Sequence, residues 1–98
     1  MCVFERAAEV FALLSTPVRL RIVSALCKCE MNVSELLGNV GTSQPNMSQH
    51  LSLLYRAGLL GRRRVGTQVF YRVNAESGAL LCDAVRSLIG RAVPAKRT

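Results

Sequence analysis

The sequence predicts a single, mainly α-helical (α+β) domain with elements ordered α-α-α-α-β-β-α. Three observations carry that expectation. Apolar residues recur at three- and four-residue spacings through most of the chain, which is the period of amphipathic helices. Ser, Thr, Asn, Pro and Gly punctuate those stretches where helices should start and stop. The one stretch with strand character, "RRRVGTQVFYRV" (62–73), turns about Gly66.

The first helix, about Phe4 to Leu14, sets Phe4, Ala8 and Phe11, with Ala7, Val10 and Leu14, on a wide apolar face. Ser15–Thr16–Pro17 then supplies a cap and a proline suited to a first turn. The second helix runs to about Cys27, burying Val18, Ile22 and Leu26 and exposing Arg19 and Arg21. Asn32 or Ser34 can cap a short third helix ending near Gly38, and Gly41 opens a turn. Thr42 or Ser43 caps the fourth, with Pro45 in its first turn; it runs to Ala57, and Gly58 ends it as a left-handed cap. Two short helices about a Gly-containing turn (about 33–57), followed by a hairpin (about 60–73), make a winged helix-turn-helix within one domain, 1–98. The last helix, about Ser77 to Ala92, carries Leu80, Leu81, Ala84, Val85, Leu88 and Ile89 on two adjacent faces, more than one small monomer hides. The tail, 93–98, is expected to be disordered.

Composition narrows the function. Half of the 98 residues are hydrophobic, yet no apolar run approaches the roughly 20 residues of a membrane span. Glu5, Arg6 and Glu9 interrupt the N-terminal segment where a signal peptide would be apolar, so a cytoplasmic location with reduced thiols is expected. The net charge is +7, and between Leu36 and Ala75 there is no acid while Arg56, Arg62, Arg63, Arg64 and Arg72 all fall inside. That distribution fits a polyanionic partner. One histidine, no usefully paired carboxylates and no Gly-rich phosphate loop argue against an enzyme.

The fourth helix has a polar but uncharged front: Ser43, Gln44, Asn46, Ser48 and Gln49, backed by Met47, Leu51 and Leu54. In a helix-turn-helix the second helix enters the major groove. Glutamine and asparagine read adenine edges there in bidentate fashion, and serine bonds several edges. The adjacent Arg62–Arg64 suit phosphate or minor-groove contact. His50 is either a locally packed residue or a backbone-phosphate contact.

Taken together, "LSTPVRLRIVSAL", "MNVSELL", "SQPNMSQHLSLLYRAGLL" and "RRRVGTQVFYRV" resemble the ArsR/SmtB family of bacterial winged-helix repressors over about Leu13 to Val73. The resemblance implies a homodimer through the first and last helices, with Phe4, Phe11, Leu81, Val85 and Leu88 at the interface. It implies double-stranded operator DNA of two-fold symmetry as partner, and release when an effector binds. It assigns base reading to Gln44, Pro45, Ser48 and Gln49, and the wing contacts to the region of Arg64–Gln68.

The sensing site departs from the family pattern. A cysteine pair used by metal-sensing members would fall at Asn32 and Ser34, and the last helix lacks the histidines of the zinc type. Cys27, Cys29, Cys82 and Cys2 remain. Three thiolates would suit a soft metal(loid) such as As(III), the favoured effector. A redox or persulfide switch, with Lys28 lowering a thiol pKa, is the alternative, and Cys27 and Cys82 as small buried hydrophobes a third reading. From another class, a winged-helix module for protein contact or non-specific nucleic-acid binding would show no preference among DNA sequences.

Overall fold

Helices begin and end in this chain where capping chemistry allows. The order in the computed structural model, which describes residues 3–92 (the side chains of 77 and 90–92 excepted), is α1 (Val3–Leu13), α2 (Pro17–Lys28), β1 (Met31–Asn32), α3 (Val33–Val40), α4 (Gln44–Arg56), β2 (Leu60–Val65), β3 (Gln68–Val73) and α5 (Ala75–Ala92). Thr16 Oγ1 accepts from the Arg19 N–H at 3.3 Å, and Ser43 Oγ from the Asn46 N–H at 3.3 Å. Pro17 and Pro45 sit in first turns, where a missing N–H costs nothing. Asn32 and Glu35 close a capping box: Asn32 Oδ1 accepts from the Glu35 N–H at 2.8 Å, and Glu35 Oε1 from the Asn32 N–H at 2.9 Å. Gly41, at φ 76°, ends α3 in the left-handed region that a side chain would resist.

Two boundaries differ from the sequence expectation by two residues. Helix α3 continues past Gly38 to Val40, and α5 starts at Ala75. Strand β1 is an addition. Its two residues pair antiparallel with β3, Met31↔Tyr71 and Asn32↔Phe70, giving a three-stranded sheet of order β1-β3-β2.

The core is apolar throughout: Ile22, Val23, Leu36, Met47, Leu51, Leu54 and Leu60 are fully buried, and no polar or charged residue is buried among those described. Helix α1 buries none of its residues. Phe4, Phe11, Leu80 and Leu88 remain exposed, at 69–85%. Val85 was expected between two copies, but it is only 6% exposed and belongs to the core. The reason is its spacing from Cys82: three residues apart, both lie on the α5 face that packs against α2. Leu81 is half-buried against the same core. No single described helix is long and apolar enough to cross a membrane. Cys2 and the tail 93–98 lie outside the described residues.

Candidate nucleic-acid interface

Helix α4 is divided cleanly between anchor and front. Met47, Leu51 and Leu54, at i, i+4 and i+7, are wholly buried and fix the helix to the body. Gln44, Pro45, Asn46, Ser48 and Gln49 are all exposed. Ser43 is exposed too, with its hydroxyl oxygen engaged as the cap. Gln44 borders a cleft of about 380 Å³ together with Asn32 and Ser34 of the α3 start and Thr67 and Gln68 of the wing. The front of α4 and the wing tip therefore open onto one surface. Gln68 is held there, its Oε1 accepting from Asn32 Nδ2 at 3.2 Å.

His50 is tied into the body by a residue expected to be a plain surface cation. Arg19 Nε donates to His50 Nδ1 at 3.1 Å, and Arg19 Nη1 donates to the Leu13 carbonyl at 3.2 Å. Accepting that bond requires an unprotonated Nδ1, which leaves the ring proton on Nε2. Burial first, and the Arg19 charge second, hold the imidazole pKa below its usual value. His50 is thus a neutral group of fixed tautomer beside the polar front.

The three consecutive arginines split by strand alternation. The register Arg62↔Tyr71 and Arg63↔Phe70 sets Arg62 and Arg64 on one face of the sheet and Arg63 on the other. Arg62 lies over the Tyr55 ring of α4, 4.0 Å from its centroid. Arg64 has no ion-pair or hydrogen-bond partner among the described residues. Arg63 is already committed: its Nε donates to Glu30 Oε2 at 2.8 Å and its Nη2 to Glu30 Oε1 at 2.7 Å. These bonds hold the Glu30 carboxyl below the ordinary carboxylate range. Of these three arginines, the uncommitted one is Arg64.

The cysteines also separate. Cys27, near the end of α2, and Cys82, on α5, form a disulfide with Cα atoms 5.7 Å apart, across 55 residues of chain. Cys82 is 8% exposed, and Cys27 packs partly buried on the core. Cys29 is a free, exposed thiol at the α2 C-cap, where the chain is extended. Asn32, at one of the family's metal-cysteine positions, is spent as the α3 cap. No three His, Cys, Asp or Glu groups are placed to hold a metal ion among the described residues.

An exposed amide- and hydroxyl-bearing helix, seated by its own apolar back and flanked by a cationic hairpin, defines a DNA-binding regulator of the winged helix-turn-helix class. The chain belongs to the ArsR family: the model "Bacterial regulatory protein, arsR family" matches residues 16–61. It is 39% identical over 87 residues to the biofilm growth-associated repressor of Xylella fastidiosa, covering 86% of this chain and 76% of that one. Among solved structures it is similar to reduced HlyU from Vibrio cholerae (TM-score 0.80, 28% identity, 88% of this chain and 90% of that one). It is also similar to the homodimeric winged helix-turn-helix DNA-binding domain Mb0332 from Mycobacterium bovis (TM-score 0.79, 26% identity, 98% and 90%). The protein is a transcriptional repressor, not an enzyme.

Proposed function

We propose that this repressor binds its operator as a homodimer in the bacterial cytoplasm and that the Cys27–Cys82 pair governs the binding as a dithiol–disulfide couple. The observation carrying this reading is the cross-core pairing of two cysteines 55 residues apart. Disulfides are rare in the cytoplasm, where those that form are usually catalytic or redox-sensing. In closing the bond the two thiols give up two protons and two electrons to an oxidant, for example a peroxide, which leaves as water. The bond fixes α2 to α5, and α2 in turn packs on α3 and β3, next to the DNA-facing surface. The oxidised form releases the operator. As(III), favoured on composition, is the weaker reading, because a third sulfur ligand is not near this pair among the described residues.

Self-association has its own support. The exposed Phe4, Phe11, Leu80 and Leu88 are large apolar side chains on α1 and α5, and Mb0332 is homodimeric with the same fold. On DNA, each copy reads one half-site with Gln44, Asn46, Ser48 and Gln49, while Arg62, Arg64 and the wing tip grip phosphate. Gln44→Ala should cost about 1–3 kcal/mol on the operator and little on random DNA. Arg64→Ala should weaken binding to every sequence and lower the salt slope by about one per site, whereas Arg63→Ala should leave that slope nearly unchanged. Equal slopes for the two arginine variants would overturn the division.

The deciding experiment is an operator titration of the reduced protein, repeated with peroxide, polysulfide, arsenite, zinc and cadmium. Peroxide or polysulfide should lower affinity in the parent and in Cys29→Ser, and have no effect on Cys27→Ser or Cys82→Ser. Release by arsenite alone would replace the redox reading with the metalloid one.

A further inference from the structure

We infer that the Glu30–Arg63 ion pair is a strut carrying the state of Cys27 to the wing, an inference that rests on the redox reading above. An arginine in the middle of a DNA-binding hairpin is expected to be free for phosphate. Arg63 is not: it points to the sheet face away from Arg62 and Arg64, and both Glu30 oxygens accept from it. A bidentate pair of this kind fixes direction as well as distance. The Arg63 guanidinium also lies 5.7 Å from the centre of the Phe70 ring, which limits where it can swing.

Glu30 stands three residues after Cys27, and the chain between them has little slack. Helix α2 ends at Lys28, and Cys29 continues in extended geometry, φ −167° and ψ 162°. The next three residues are each attached to the wing. Glu30 holds Arg63 of β2, Met31 pairs with Tyr71 of β3, and Asn32 pairs with Phe70 and donates from Nδ2 to Gln68. This three-residue strap is β1 and its approach. Any shift of the α2 end as Cys27 binds or leaves Cys82 is therefore passed to the hairpin as a unit, with no flexible loop to absorb it. The hairpin's tilt sets whether Arg64 and the tip reach phosphate while α4 lies in the groove. The backbone pairing of β1 spans two residues and reaches β3 alone, so the side-chain pair at Glu30 is the direct link from this strap to the outer strand β2, which is otherwise reached through β3.

The test compares operator affinity of the reduced and peroxide-oxidised full chain, for the parent and for Glu30→Gln, with amide hydrogen exchange across 62–68 as a second readout. An allosteric coupling of ordinary size is about 5–150-fold. The parent should show a ratio in that range and altered wing exchange on oxidation. Glu30→Gln should still bind reduced operator DNA, but its ratio should fall severalfold below the parent's, with a smaller change in wing exchange on oxidation, the remainder being carried by the β1–β3 pairing. The pair is largely exposed on the Arg63 side (57%), so its loss leaves the fold intact. Arg63→Gln breaks the same strut from the other end and should give the same reduced ratio. A charge-swapped Glu30→Arg/Arg63→Glu chain should regain part of it. A parent that switches, with Glu30→Gln and Arg63→Gln switching just as far, would overturn the strut alone. A parent with a ratio of one would overturn the redox reading and the strut with it.

Discussion

Leu54→Ala should lower the unfolding free energy by about 2–5 kcal/mol in a urea titration, a large share of the roughly 5–15 kcal/mol of an ordinary domain. Leu54 is fully buried and is the last of the three residues seating α4. Leu59 and Leu60, where the chain turns from α4 into β2, belong to the same buried cluster, and the Leu59 N–H donates to the Leu54 carbonyl at 3.1 Å. Operator binding should fall as the folded fraction falls, and should return when the variant is stabilised by cooling or an osmolyte. Gln49→Ala, on the exposed front of the same helix, should change stability by less than about 0.5 kcal/mol. A Leu54→Ala protein as stable as the parent would mean that α4 is not seated by this core.

The second large effect is on assembly. Leu88→Asp should sediment as a monomer and bind the operator about 10²–10⁴-fold more weakly, because two linked half-site contacts become one. Leu88 is 69% exposed, so the charge does not enter the monomer core and the far-ultraviolet spectrum should be retained. Val85→Asp is the contrasting variant: at 6% exposure it should unfold the monomer instead. If Leu88→Asp remains dimeric, the interface is not built on the outer face of α5.

What was legible in the sequence follows from the range of the interactions involved. Caps and first-turn prolines act within four residues, so the helix starts could be read to within two neighbouring candidates, of which the structure uses Thr16, Asn32 rather than Ser34, and Ser43 rather than Thr42. The partition of α4 into a polar front and an apolar back was legible for the same reason: 3.6-residue periodicity is a local property. Strand β1 was not, since two residues cannot show an alternation. Pairings between distant side chains were also hidden. Nothing local to Arg19 announces His50, 31 residues away, or to Glu30 announces Arg63, 33 away. Cys27 and Cys82 were singled out, but their partnership depends on how α2 and α5 cross. Val85 illustrates a different limit. A doublet pattern on α5 shows that two faces are apolar without saying which one turns inward.

Helix α1 is joined to the end of α4 by a side chain, which in the proposed dimer would make abundance a variable in gene control. It buries none of its own residues, yet Arg6 Nη2 donates to the Ala57 carbonyl at 2.8 Å, at the very end of α4. A second copy covering Phe4 and Phe11 would steady α1 and, through that guanidinium, the tail of the helix proposed to read the bases. At low copy number the groove-reading surface would be less well ordered as well as unpaired, so repression should rise more steeply with cellular concentration than mass action on rigid subunits allows.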